Sequence, residues 1–98
     1  MAFTKGEIVL SLKGHDAGGL FCVLDAKDGF ASIADGKGRK LAAPKRKRGK
    51  HLVGVGTSAH PAIQRLQRGE SVSDRALRAA LAAFRDSEQT TMEGTQFV

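Results

Sequence analysis

The sequence predicts a mainly β protein: a small barrel of about five short strands in the first half, then a short helical extension. Three observations predict it. Short apolar stretches between residues 5 and 55 are separated by glycine-rich turns. After Val55 the apolar spacing changes from strand-like to helical. The chain has 98 residues, room for one small domain with an appendage. The expected division is residues 1–55 as the barrel with a basic loop. Residues 56–98 form the helical extension and a loose tail.

Glu7–Leu12 reads as the first strand, ending at Gly14-His15-Asp16-Ala17-Gly18-Gly19, whose three glycines open backbone angles closed to other residues. Leu20–Asp25 is apolar on both faces, as in a strand covered on both sides. Asp28-Gly29 signals a hairpin turn, and Phe30–Ala34 follows as the third strand. Asp35-Gly36 and Gly38 make another turn, with Arg39–Leu41 as a fourth short strand that Pro44 interrupts. A last strand begins near His51 and runs into Val53 and Val55. Gly54, Gly56, Thr57 and Ser58 read as a linker. His60–Arg68 carries Ile63 and Leu66 at helical spacing, and Gly69 is a stop signal. Ser73 suits the N-cap of a second helix. Ala76, Leu77, Ala80, Leu81 and Phe84 share one face of it. That face docks on the barrel or the first helix, or else receives a partner. From Ser87 onward the chain is polar and reads as a loose tail.

Charge is unevenly placed. The formal net charge is +6. Residues 1–52 hold 11 basic and 5 acidic side chains, whereas residues 53–98 hold 5 of each. Half of the 16 Lys and Arg lie between Gly36 and His51, where no acidic residue interrupts them. Such an asymmetry points to a polyanion or an acidic surface as partner. Cys22 is the only cysteine, so no intramolecular disulfide forms, which suits a reducing compartment. The N-terminus has no long apolar run after a basic start, so a signal peptide and a membrane span are not expected. The expected location is the cytoplasm.

Lys5–Leu52 resembles a KOW domain, a small SH3-like barrel common in ribosomal proteins and transcription elongation factors. The residues that carry the resemblance are Gly6-Glu7-Ile8-Val9, Gly14-His15-Asp16-Ala17-Gly18 and Phe21-Cys22-Val23. Gly18 falls where the motif has its characteristic glycine. Ile33-Ala34-Asp35-Gly36, Arg39-Lys40, Pro44-Lys45-Arg46-Lys47 and Lys50-His51-Leu52 resemble one subgroup. It comprises KOW-type large-subunit ribosomal proteins of archaea and eukaryotes and short bacterial KOW RNA-binding proteins. Gly19 departs from that subgroup, which often carries a basic residue there. The resemblance implies RNA binding on the ribosome and no catalytic activity.

Within the basic segment the expected RNA contacts are Lys37, Arg39, Lys40, Lys45, Arg46, Lys47, Arg48, Lys50 and His51. Cations between phosphates release condensed counterions on binding. Pro44 and Gly49 keep the segment from becoming a regular helix, so it reads as an extended loop. The alternative is a solvated loop. Lys13 and His15 flank the Gly14–Gly19 loop and join the expected contacts, while Asp16 is expected to cap that loop's own backbone. No Lys-Ser or Lys-Thr pair follows the glycines, so this is no nucleotide P-loop. His15, His51, His60 and Cys22 lack metal-ligand spacing. No catalytic constellation stands out, and no cofactor or small-molecule substrate is expected. The aromatics are five Phe. Phe21, Phe30 and Phe84 fall at core-like positions, which favours backbone and shape recognition of structured RNA over stacking of single strands. The rival reading is a protein-interaction module of the transcription or translation machinery whose basic loop meets an acidic protein surface.

Overall fold

The computed structural model describes residues 3–96, with side chains through residue 87. Five strands form one antiparallel sheet: β1 (Ile8–Ser11), β2 (Leu20–Lys27), β3 (Phe30–Ala34), β4 (Lys45–Arg48) and β5 (Leu52–Gly56). Their order across the sheet is β4-β3-β2-β1-β5. The chain thus meanders from β1 to β4, then returns through a single 3₁₀ turn, Gly49–His51, to lay β5 beside β1. No ladder joins β4 to β5, so the sheet is not closed. Two helices follow, α1 (Pro61–Gln67) and α2 (Asp74–Gln96).

Local chemistry explains most boundaries. Asp28 (φ 55°) and Gly29 (φ 81°) make the tight β2–β3 turn in the left-handed region that Asp-Gly favours. His60 Nδ1 accepts a hydrogen bond from Ala62 N (3.1 Å), and Pro61 opens α1, where its missing N–H costs nothing. The helix ends at Gly69 (φ 81°), with Gly69 N donating to Leu66 O and Glu70 N to Arg65 O, the paired bonds of a Schellman stop. Ser73 Oγ accepts from Ala76 N (3.1 Å), the N-cap expected for the second helix. That helix runs on to Gln96, past Ser87, where the polar sequence predicts a tail. No proline interrupts it there.

Three other expectations are corrected. Arg39–Leu41 is not a strand. Asp35 Oδ1 accepts from both Lys37 N and Arg39 N (2.9 Å each), giving the backbone a local alternative to a ladder. The fourth strand is instead Lys45–Arg48, inside the segment expected to be a loop. It pairs Phe30–Arg48, Ala31–Lys47, Ser32–Arg46 and Ile33–Lys45. Gly54 and Gly56 belong to β5 rather than to a linker.

The period-two pleat sorts the core into two clusters. Val9, Phe21, Val23, Ala31, Ile33 and Leu52 form one cluster, on one face of the sheet. Ile8, Cys22 and Ala34 point to the opposite face and meet Ala62, Ile63, Leu66, Leu77, Ala80 and Leu81 from the two helices. Packing therefore crosses residue 55. Polar bonds reinforce it: Leu41 N donates to Asp74 Oδ1 (2.8 Å), and Arg78 Nη1 donates to Gly36 O (2.5 Å). Gly36 is required there. Its φ is +78°, and a Cβ would collide with Asp74 O. Burial pushes the Cys22 thiol up to about 12.

Because the helices cover Ile8, Cys22 and Ala34, a chain ending at Ser58 will not keep a native sheet. We expect it to bind hydrophobic dye and to expose Cys22 to thiol reagents that react only slowly with the intact protein. In the intact chain, Leu77→Ala should cost about 2–5 kcal/mol in a denaturant melt. A cooperative melt and a protected Cys22 in the truncated chain would show that the sheet stands alone.

Candidate nucleic-acid interface

The strand β4 is unusual in composition: Lys-Arg-Lys-Arg has little intrinsic strand propensity. Its place is set by what each alternate side chain reaches. Lys47 is 8% exposed, and its strand partner Ala31 lies in the Val9–Val23–Ile33 cluster. Its Nζ escapes to donate to Lys13 O (2.5 Å) and lies 4.0 Å from Asp16 Oδ2. The aliphatic stem can thus be buried while the charge finds oxygen partners. Pro44, just before the strand, needs no ladder partner for its nitrogen.

Asp16 is the anionic centre of the basic half. It does not cap its own loop. Its carboxylate accepts from Arg39 Nε (3.2 and 3.3 Å) and from Arg39 Nη2 (3.0 Å), with its side chain 14% exposed. The hydrogen bonds from Arg39 hold its carboxyl below the ordinary carboxylate range, against the cost of burial; the charges of Arg39, Lys47 and Lys45 add to the effect. The Gly14–Gly19 loop, the Asp35–Ala43 loop and β4 are thereby tied together.

The eleven expected RNA contacts therefore divide. Arg39 and Lys47 are committed inward; for Lys47 this corrects the expectation of a solvent-exposed loop. His51 is half-buried. Desolvation, then the charges of Lys13, Lys50, Lys47 and Arg48, hold its pKa below the usual imidazole range, so it supplies no cation at neutral pH. Its carbonyl accepts from Leu12 N (2.9 Å). Lys13, His15, Lys37, Lys40, Lys45, Arg46, Arg48 and Lys50 are exposed. Among the described residues no carboxylate lies within ion-pair distance of Arg46 or Arg48.

Phe30 departs from its expected place in the core. The alternation along β3 puts Ala31 and Ile33 in the Val9–Val23 cluster, and Phe30 with Ser32 on the other face. Neither core cluster includes Phe30. Its ring is half-buried under guanidinium groups: Arg46 Cζ lies 4.3 Å from the ring centroid and Arg48 Cζ 5.3 Å. These cation–π contacts hold two long side chains upright on the sheet. Ser32, two residues on and polar, was the signal in the sequence that this face is open.

A second basic surface was not expected. Lys37 shares a groove of about 350 Å³ with Arg78 and Arg85 of α2, lined also by Asp35 and by the apolar Leu20, Leu81 and Ala82. It is assembled from residues more than forty positions apart, and no local motif announces it.

Removing the anionic centre should loosen all three tied segments. We expect Asp16→Asn to cost about 1.5–3 kcal/mol at pH 7, the range for hydrogen bonds to charged groups. The folded pKa of Asp16 is depressed, so its contribution is present above the unfolded carboxylate value. It is lost as pH falls through the folded value, below about pH 4. The wild type should therefore lose stability there more steeply than the variant. Parallel acid limbs in the two proteins would show that the Arg39 pairing contributes nothing net.

Among the described residues, no helix is long and apolar enough to cross a membrane, and no cluster of three or more His, Cys, Asp or Glu could hold a metal ion. No protein-family model matches the chain, and no curated protein matches it significantly.

Proposed function

We propose that this chain is a non-catalytic RNA-binding protein that meets structured RNA with the outer face of β4 and associates with the ribosome. The observation that carries the reading is the rigid display of Arg46 and Arg48. Both are exposed, neither has a carboxylate within ion-pair distance among the described residues, and both are held over Phe30 on a hydrogen-bonded strand. A cation fixed on a sheet loses less conformational entropy on meeting a phosphate than one on a floppy loop. Lys45, at the start of the strand, and Lys50, just after it, extend the charge. Such contacts follow the phosphate backbone and are largely indifferent to base sequence.

The finer fold reading, an SH3-like barrel of KOW type, belongs to the same proposal. It is supported by the meander of four strands, the 3₁₀ turn before β5 and the return of β5 beside β1. Gly18, at the position of the KOW glycine, has φ +86° with open space around it, so conformation rather than crowding selects it. Ribosomal RNA is the proposed target on that resemblance.

A triple variant, Lys45→Gln, Arg46→Gln and Arg48→Gln, tests the reading while leaving the inward Lys47 in place. With one phosphate lost per side chain, the log–log salt dependence of RNA affinity should flatten by roughly 2 to 3. Co-sedimentation with ribosomes at low salt should fall in parallel, and the thermal melt should stay near wild type. Unchanged affinity and salt slope in a folded triple variant would overturn the assignment of the site. Loss of capture by an acidic protein surface, with RNA binding untouched, would transfer it to the interaction-module reading.

A further inference from the structure

Charge alone does not explain what surrounds Phe30. A depression of about 150 Å³ beside the ring is lined by Asp25, Lys27, Phe30, Ala31, Ser32 and Arg46. Cross-strand pairing builds it: Asp25 of β2 lies opposite Ser32 of β3, which lies opposite Arg46 of β4. A second row, Lys27, Phe30 and Arg48, runs beside it. The site thus sets a guanidinium over a phenyl ring, with a carboxylate and an ammonium also lining the depression.

Each component bears on the ligand. Asp25 shares the depression with Lys27 and Arg46, so it offers an acceptor beside cations rather than the all-cationic lining that a phosphate prefers. A phenyl ring capped by a guanidinium offers a flat, polarisable surface, the kind on which unpaired bases stack. In a paired A-form stem the bases are already stacked and their deep groove is too narrow to enter, so only a bulged or looped-out base can reach such a surface. Asp25, as a carboxylate, only accepts hydrogen bonds. Exocyclic amines of cytosine, adenine and guanine can donate to it. Uracil presents one imide N–H flanked by two carbonyl oxygens, which repel a carboxylate.

Resting on the RNA-binding reading, we infer that this depression seats one unpaired, amino-bearing nucleobase, stacked on the Arg46–Phe30 pair with its amine on Asp25. Arg48 and Lys27 then lie beside the adjoining phosphates. The expectation that core-like phenylalanines leave little for stacking is modified to a site with a single stacking layer, added to backbone recognition. The protein would anchor on a stem by charge and register on it by one extruded base.

Five hairpins test this: one fully paired stem, and the same stem with a single bulged C, A, G or U. Affinities are read by fluorescence anisotropy at fixed salt. Wild type should bind the C, A and G bulges about 5- to 150-fold more tightly than the paired stem, the range for one base–aromatic stack. The U bulge should gain least. Phe30→Leu, which keeps an apolar side chain, should collapse the ratio of bulged to paired affinity. Arg46→Lys, which keeps the charge and loses the plane, should do the same. Asp25→Asn should raise U toward the other bases, because an amide can donate to a uracil carbonyl. Equal, salt-dependent binding of all five hairpins by wild type overturns this inference and leaves the RNA-binding reading standing. Absence of salt-dependent binding to any of them overturns both. A bulge preference that survives in folded Phe30→Leu and Arg46→Lys proteins overturns the placement of the seat.

Discussion

The buried side of the basic half depends on one carboxylate. Between Gly36 and His51 eight cations follow one another with no acid among them, and like charges so placed oppose a compact fold. Asp16, from a distant loop, receives Arg39 directly and has Lys47 within ion-pair distance. Lys13 O takes the Lys47 ammonium as well. Two of the eight charges are thereby drawn inward, and those two fix the register of the rest. With Lys47 turned to the core face, the pleat turns Arg46 and Arg48 to the other. The same pairing that lets the segment fold decides which charges remain available.

The sheet itself is incomplete without the helices. Leu20–Leu24 is apolar on both faces, so one set of its side chains must be covered by elements outside the Val9–Val23–Ile33 cluster. α1 and α2 provide that cover, and α2 also holds the Asp35–Ala43 loop through Asp74 and Arg78. The C-terminal half is neutral overall, yet it shapes the charged half by packing. It also contributes Arg78 and Arg85 to the groove shared with Lys37.

Function on this scaffold is a matter of separated roles for similar residues. Lys47 and Arg39 stabilise; Arg46 and Arg48 present. The edge position of β4 suits both roles, because an edge strand made of cations discourages pairing with another sheet while Arg46 and Arg48 stay exposed. Phe30 joins the two roles. It is too exposed to be core, and its ring keeps the two arginines in place.

By itself the sequence determined the elements whose signals are local. The Asp28-Gly29 turn, Phe30–Ala34 as a strand, the Gly69 stop and the Ser73 cap depend on residues within a few positions of one another. The concentration of charge before residue 52 was equally plain. What only the tertiary structure decided depends on partners far away along the chain. Lys45–Arg48 is a strand because Phe30–Ile33 lies beside it, although its own composition argues against strand. Arg39 and Lys47 turn inward because Asp16, more than twenty residues earlier, is brought to meet them. Phe30 faces outward because the helices cover Ala34 on that face while Phe30 lies outside the helix-covered core. Turns and caps are short-range hydrogen bonds and can be read from neighbours. Strand pairing, ion pairing and burial are long-range, and the same Lys or Phe takes opposite roles according to which face the fold gives it.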